Sequence, residues 1–149
     1  VDYLKRSGRW KRSLIILIPD HLGCYPADIS EFKVERYQIP MIWLGGVVKA
    51  PYVVESYGSQ HDLAATLLGQ LGISHASFIF SKDMLDSRAP HFAFFTYPDL
   101  WGMATEEQQM IYDNVAGKTV LYRGKRGRSA MEKQGKAYLQ ELYNDIARR

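Results

Sequence analysis

Asp20 and His21, an adjacent carboxylate and imidazole, are the residues of this chain best placed to do chemistry. They follow an apolar run, Leu14-Ile15-Ile16-Leu17-Ile18, and one proline, Pro19. Asp offers a hard anionic oxygen and neutral His an imidazole nitrogen, a mixed donor pair that suits zinc or manganese better than calcium. A structural role competes with this: Asp20 capping a turn and His21 an ordinary loop histidine. The dipeptide alone does not choose between them. The preceding run weighs on the side of a site. It is too short to span a membrane and too uniformly apolar for a half-exposed strand, so it reads as a strand buried on both faces of a parallel sheet. In such sheets ligands sit at the carboxyl ends of the strands.

The order of further motifs extends the reading. Asp2-Tyr3-Leu4-Lys5, Trp10, the run to Ile18 and Asp20-His21 are followed by Ile39-Pro40-Met41-Ile42. Then come Ser59-Gln60-His61-Asp62-Leu63-Ala64-Ala65-Thr66-Leu67-Leu68 and Leu71-Gly72-Ile73. This series resembles the carboxyl-terminal part of the alkaline phosphatase superfamily, with the best match to sulfatases and lipoteichoic acid synthase-like enzymes. The resemblance covers about Asp2 to Ile73 and loosens after Ser74. Two departures stand out: Leu22 intervenes between Asp-His and Gly23, and the family's Asp-x-x-Pro-Thr is here Asp62-Leu63-Ala64-Ala65-Thr66, without proline. Neither touches Asp20 or His21, to which the resemblance assigns two metal-ligand positions.

The resemblance also implies what these residues do not supply. In that family a Thr, Ser or formylglycine nucleophile and a further acidic ligand lie well before the Asp-His pair. The residues before Asp20 hold no such site, and Val1 stands where a native start would have Met. The chain is therefore expected to be a fragment of a larger enzyme, inactive alone. Cys24-Tyr25-Pro26-Ala27-Asp28 begins like the Cys-x-Pro-x-Arg signature that yields formylglycine, but Asp28 replaces the arginine and the cysteine follows the Asp-His pair. Cys24 is read as a small apolar filler, not a nucleophile. The implied function is a metal-dependent sulfatase or phosphoryl/phosphoglycerol transferase acting on sulfate or phosphate esters. Its divalent ion could be manganese, zinc, magnesium or calcium. The family places such enzymes outside the cytoplasm, periplasmic or at the cell surface, with a membrane anchor expected in the missing amino-terminal part.

With 149 residues, 46% of them hydrophobic, the chain can bury one core or form a large piece of a bigger domain. Its single cysteine excludes an internal disulfide. The net charge of +3 is unevenly spread: Lys5, Arg6, Arg9, Lys11 and Arg12 crowd the first segment, and Arg123-Gly124-Lys125-Arg126-Gly127-Arg128 forms a basic loop. An independent anion- or nucleic-acid-binding module using that loop is the alternative function. No nucleic-acid motif or stacking platform accompanies it, so a solvated loop is the simpler expectation and nucleic acid the less favoured partner.

The elements that must position these residues make a mixed α/β fold. The expected architecture is the carboxyl-terminal part of an alkaline-phosphatase-like sandwich, buried parallel strands with helices, joined to a small antiparallel sheet and a C-terminal helix. Residues 1–73 would form the metal-site half of the core and 74–149 the sheet and final helix, all one fragment of a larger catalytic domain. Strands are expected at Leu14–Ile18 and Ile39–Leu44, the latter closed by Gly45-Gly46. Gln60–Leu71 is a helix with Leu63, Leu67, Leu68 and Leu71 on one face, stopped by Gly72. Ser59 and Asp62 form a capping pair at its start, the structural explanation of Asp62, and His61 beside it is expected to face solvent, with an anionic substrate as the alternative if this loop borders the site. Beyond Ser74, runs at Phe78–Phe80, His91–Tyr97, Gln109–Tyr112 and Thr119–Tyr122 suggest an antiparallel meander with a turn at Asn114–Lys118. The last helix starts at Ser129 with Glu132 in a capping box, pairs Glu132 with Lys136, and buries Met131, Leu139, Leu142 and Ile146. His75 and His91 are too isolated to make a second metal site. A truncated sheet should expose an apolar patch or edge, or pair through it with another copy.

Overall fold

Apolar alternation in the second half of the sequence builds a well-packed core. In the computed structural model, which describes residues 1–22, 29–125 and 127–149, the chain is mixed α/β with two antiparallel sheets and a C-terminal helix. Cys24, with the rest of the stretch 23–28, and Arg126 of the basic loop lie outside the described residues. The chain forms two compact units, Val1–Ile29 with Glu35–Val53, and Ser30–Val34 with Val54–Arg149.

The first unit contains helix α1 (Asp2–Arg6), a 3-10 turn (Trp10–Arg12), and strands β1 (Ile15–Leu17) and β2 (Ile42–Leu44). The strands pair antiparallel, Ile15 opposite Leu44 and Leu17 opposite Ile42. This corrects the expectation of buried parallel strands: no described residue of the unit is buried, and Leu17 and Ile42 are each 52% exposed. A uniformly apolar run signals burial only when both sheet faces are covered, and a two-stranded ribbon provides no such cover. Gly45 and Gly46 end β2 as expected. A Cβ at Gly45 would strike the Ser13 carbonyl and one at Gly46 the Trp10 backbone, so glycine is what lets the chain close on the 3-10 turn. Gly46 N–H donates to the Trp10 carbonyl at 3.0 Å.

The second unit holds helix α2 (Asp62–Gln70), the meander β3 (Ala93–Tyr97), β4 (Leu100–Ala104), β5 (Gln109–Asp113) and β6 (Lys118–Arg123), and helix α3 (Arg128–Arg148). The meander runs β3-β4-β5-β6, each pair antiparallel. Period-two alternation puts Phe94, Trp101, Met103, Met110 and Tyr112 on one face, and α3 covers that face through Met131, Leu139 and Leu142. Trp101 stacks between Phe94 (centroids 6.0 Å apart) and Tyr112 (5.4 Å). Gly135 of α3 is buried against the Trp101 ring, where a Cβ would overlap it, so the helix approaches the sheet only because this residue lacks a side chain.

Several expected elements differ in detail. Phe78–Phe80 is not a strand but a pair of turns, with Phe78 N–H bonded to His75 O and Ser81 N–H to Phe78 O. The central strand β4 was hidden in sequence by Pro98-Asp99 and Gly102, yet all five of its residues are buried. Pro98-Asp99 is the β3–β4 turn, with Asp99 at φ 66°. The turn at Asn114–Lys118 is present, with Gly117 at φ 64° and Asp113 Oδ1 accepting the Val115 and Ala116 N–H groups. On α2 the buried face is Asp62, Ala65 and Thr66, while Leu71 is exposed. Its C-terminus stops as expected: Gly72 has φ 67°, Ile73 N–H reaches Leu68 O at 2.9 Å and Gly72 N–H reaches Gly69 O at 3.0 Å. Helix α3 has no side-chain cap. Gly127 at φ 88° opens it, and Glu132 instead accepts from Thr119 Oγ1 (3.0 Å) and Lys136 Nζ (2.7 Å), the latter being the expected i,i+4 pair. Ile146 of the expected buried stripe is exposed, because α3 outruns the sheet it packs on.

Candidate functional site

Asp20 and His21 stand in a bend just past the end of β1, with side chains 87% and 72% exposed. Pro19 breaks the strand ladder, and the bend closes when Asp20 Oδ1 accepts the His21 N–H at 2.9 Å. His21 Nδ1 lies 3.1 Å from the Leu22 carbonyl, which can only accept. The proton of neutral His21 is therefore placed on Nδ1, leaving the Nε2 lone pair free. Nε2 faces Asp20 Oδ2 at 3.5 Å. Two electron-pair donors held side by side are mutually unfavourable unless a proton or a cation lies between them. Ligands about 2.0–2.2 Å from a tetrahedral ion sit roughly 3.3–3.6 Å apart, so the observed separation fits such a donor pair. Among the described residues there is no group of three or more His, Cys, Asp or Glu able to hold a metal ion. These residues thus offer two donors, and any complete coordination shell needs more.

A second polar cluster, in the other unit, is structural. Asp62 is fully buried, and its two oxygens accept from Ser59 N–H (2.7 Å), Lys82 N–H (2.8 Å) and Lys82 Nζ (2.9 and 2.7 Å). The capping relation between Ser59 and Asp62 is therefore present on the Asp62 side. The Ser59 hydroxyl turns instead to β3, donating to Phe94 O and accepting Phe94 N–H at 2.7 Å. Lys82 Nζ also lies 4.0 Å from the centre of the Phe92 ring. With its oxygens occupied this way, Asp62 has no role left as a ligand or base.

His61 keeps 40% of its side chain exposed, but it is not merely solvent-facing. Its Nε2 lies 3.2 Å from Tyr138 Oη, which donates to the Phe80 carbonyl at 3.3 Å. Loss of hydration lowers the His61 pKa, against the charge of Asp62, and burial pushes Tyr138 up to about 12. Nothing local in the sequence marks Lys82 or Tyr138 as partners, since 20 and 77 residues separate them from Asp62 and His61. His75 and His91 join neither cluster. In the basic loop, Arg123 Nη1 donates to Gln109 Oε1 at 3.2 Å, and Lys125 and Arg128 are exposed.

No family model matches the sequence, and no curated protein matches it. Solved structures do. A protein in the alkaline phosphatase superfamily from Vibrio parahaemolyticus superposes with a TM-score of 0.71 over 97% of this chain, at 18% sequence identity. The chain has the fold of part of an alkaline phosphatase superfamily protein. It spans 38% of that protein's length.

Proposed function

We propose that the chain is the carboxyl-terminal part of the catalytic domain of a metal-dependent enzyme of this superfamily. We place it among sulfatases and phosphoryl or phosphoglycerol transferases of the lipoteichoic acid synthase-like kind, with Asp20 and His21 as two metal ligands. The observation that carries the reading is the convergence of Asp20 Oδ2 and His21 Nε2 at 3.5 Å, at the end of a strand in a chain of this fold. The donor set favours zinc or manganese, with magnesium and calcium as harder alternatives. Such an ion, when bound, polarises the ester and lowers the pKa of an attacking hydroxyl.

The contribution of this chain is to hold and orient. Asp20 supplies negative charge, and the Leu22 carbonyl fixes the His21 tautomer so that Nε2 is the donor atom. The nucleophile and remaining ligands belong to polypeptide outside this chain, and alone these 149 residues should turn nothing over. Among the described residues no helix is long and apolar enough to cross a membrane. The extracytoplasmic, membrane-anchored location proposed for the whole protein therefore rests on the resemblance and on an anchor elsewhere.

The test is a metal titration of aryl phosphate and aryl sulfate turnover by the longest polypeptide encoded in this reading frame, beside its Asp20→Asn and His21→Ala variants. Each variant should lose most metal-dependent turnover while keeping its fold. Undiminished activity of Asp20→Asn at limiting metal would show that this carboxylate is not a ligand.

A further inference from the structure

Five of the eight residues from Lys5 to Arg12 are cationic, and no acid interrupts them. Lys5 and Arg6 end α1, Gly8 at φ 70° turns the chain, and Arg9, Lys11 and Arg12 follow in and around the 3-10 turn. At helical rise the segment spans roughly 15 Å, close to the ~10 Å over which charges feel one another at about 0.1 M salt. All five residues are exposed, and among the described residues none of them forms an ion pair. Asp28 is the one carboxylate outside the described residues, too little charge to neutralise five cations. Nor are the cations needed to close the helix ends. The Tyr3, Leu4 and Lys5 carbonyls accept from Ser7 N–H, the Ser7 hydroxyl and Gly8 N–H, while the Arg9 and Trp10 carbonyls accept from the Ser13 hydroxyl and Ser13 N–H. The backbone is thus internally bonded, and the positive charge it presents faces outward.

We propose that this segment is a contact face for an anionic lipid surface. Its charge calls for a polyanion, and the side chains beside it choose a bilayer over a nucleic acid. Tyr3 is 63% exposed on α1, and the Lys5 ammonium lies 5.3 Å from the centre of the Trp10 ring. Gly46 packs on the Lys11 backbone and bonds to the Trp10 carbonyl, which brings the exposed Val47 and Val48 next to the cations. Cations mixed with tyrosine, tryptophan and aliphatic groups suit the boundary between lipid headgroups and acyl chains, where charge meets phosphate and apolar groups leave water. A phosphodiester backbone in water gives exposed valines no such refuge. The proposal uses neither Asp20 nor His21, so it stands apart from the metal reading.

Sedimentation of the 149-residue chain with vesicles tests it. The chain should partition onto vesicles of about 30% phosphatidylserine in phosphatidylcholine and not onto phosphatidylcholine alone, and raising salt from about 0.1 M to about 0.5 M should release it. Arg9→Gln combined with Arg12→Gln should lower the partition coefficient at least about tenfold, whereas Arg9→Lys combined with Arg12→Lys, which keeps the charge, should bind like the wild type. Tyr3→Ser should weaken binding about threefold. Absence of binding, equal binding to the uncharged vesicles, or equal loss in the Gln and Lys pairs overturns the proposal. So does an equal or larger loss in Lys125→Gln combined with Arg128→Gln, which would put the contact on the other basic cluster. Tighter binding to a short DNA duplex than to the vesicles at the same salt would make nucleic acid the partner and overturn it as well.

Discussion

Replacing Asp62 with Ala should be among the most damaging single changes in the second unit. The side chain is fully buried and accepts two backbone N–H groups and both contacts of the Lys82 ammonium, itself only 13% exposed. Removing one partner of a buried ion pair costs about 3–5 kcal/mol, because the other charge stays behind uncompensated. Each orphaned N–H adds about 1–3 kcal/mol when water cannot reach it. Lys82 retains the Phe92 ring and a narrow path to solvent, so each loss falls at the low end of its range and a total of about 5 kcal/mol is expected, a large share of the ~5–15 kcal/mol that holds a typical domain together. Urea unfolding followed by near-ultraviolet circular dichroism, where Trp101 dominates the core signal, gives the shift in midpoint at constant slope. The double variant Asp62→Ala/Lys82→Met provides the sharper check. It removes both charges and should recover about 1–3 kcal/mol of the loss, falling short of full recovery because the Ser59 and Lys82 N–H groups stay unpaired. A loss below about 1 kcal/mol in Asp62→Ala, or a double variant as unstable as the sum of the two single changes, would refute the description of Asp62 as a buried hub.

Gly135→Ala places a methyl group in the space of the Trp101 ring; the resulting strain of about 1–3 kcal/mol should exceed the helix-propensity gain of roughly 1 kcal/mol, so thermal melts should show net destabilisation. His61 binds its proton less readily when folded than when unfolded, so its contribution is present above the unfolded pKa of 6.5 and is lost as pH falls from there through the lowered folded value. Urea midpoints measured between pH 8 and pH 5 should show this fall in the wild type and a flatter profile in His61→Gln, and identical slopes would remove His61 from the account. Tyr138, pushed by burial from 10.0 up to about 12, should contribute a late ionisation step that is missing from the ultraviolet titration of Tyr138→Phe.

Local rules were legible in the sequence wherever one or two neighbouring residues decide the geometry. Gly72 stops α2, Gly117 makes the β5–β6 turn, and the Glu132–Lys136 pair forms as spacing demands. What escaped depends on distant partners. The Leu14–Ile18 run reads as a doubly covered strand, but coverage is a property of neighbours, and among the described residues β1 pairs only with β2. The apolar face of α2 looked like leucines, whereas the Asp62–Lys82 pair draws the Asp62, Ala65 and Thr66 face inward. Strand β4 was masked because a turn at Pro98-Asp99 and a glycine at 102 look like breaks, although Gly102 is required by the Phe95 ring opposite it. Asp20 and His21 were the easiest candidates to see, because the two donor residues stand side by side in the sequence; their convergence depends on the bend after Pro19.

The claim that Asp20 and His21 form a metal-binding pair is tested most directly by adding manganese to the chain and following its four histidine imidazole resonances by NMR. Paramagnetic broadening falls off steeply with distance, so the His21 ring should broaden first, at manganese levels that leave His61, His75 and His91 sharp, and Asp20→Asn should abolish that preference. Broadening of all four rings together, or an unchanged preference for His21 in Asp20→Asn, would contradict the assignment.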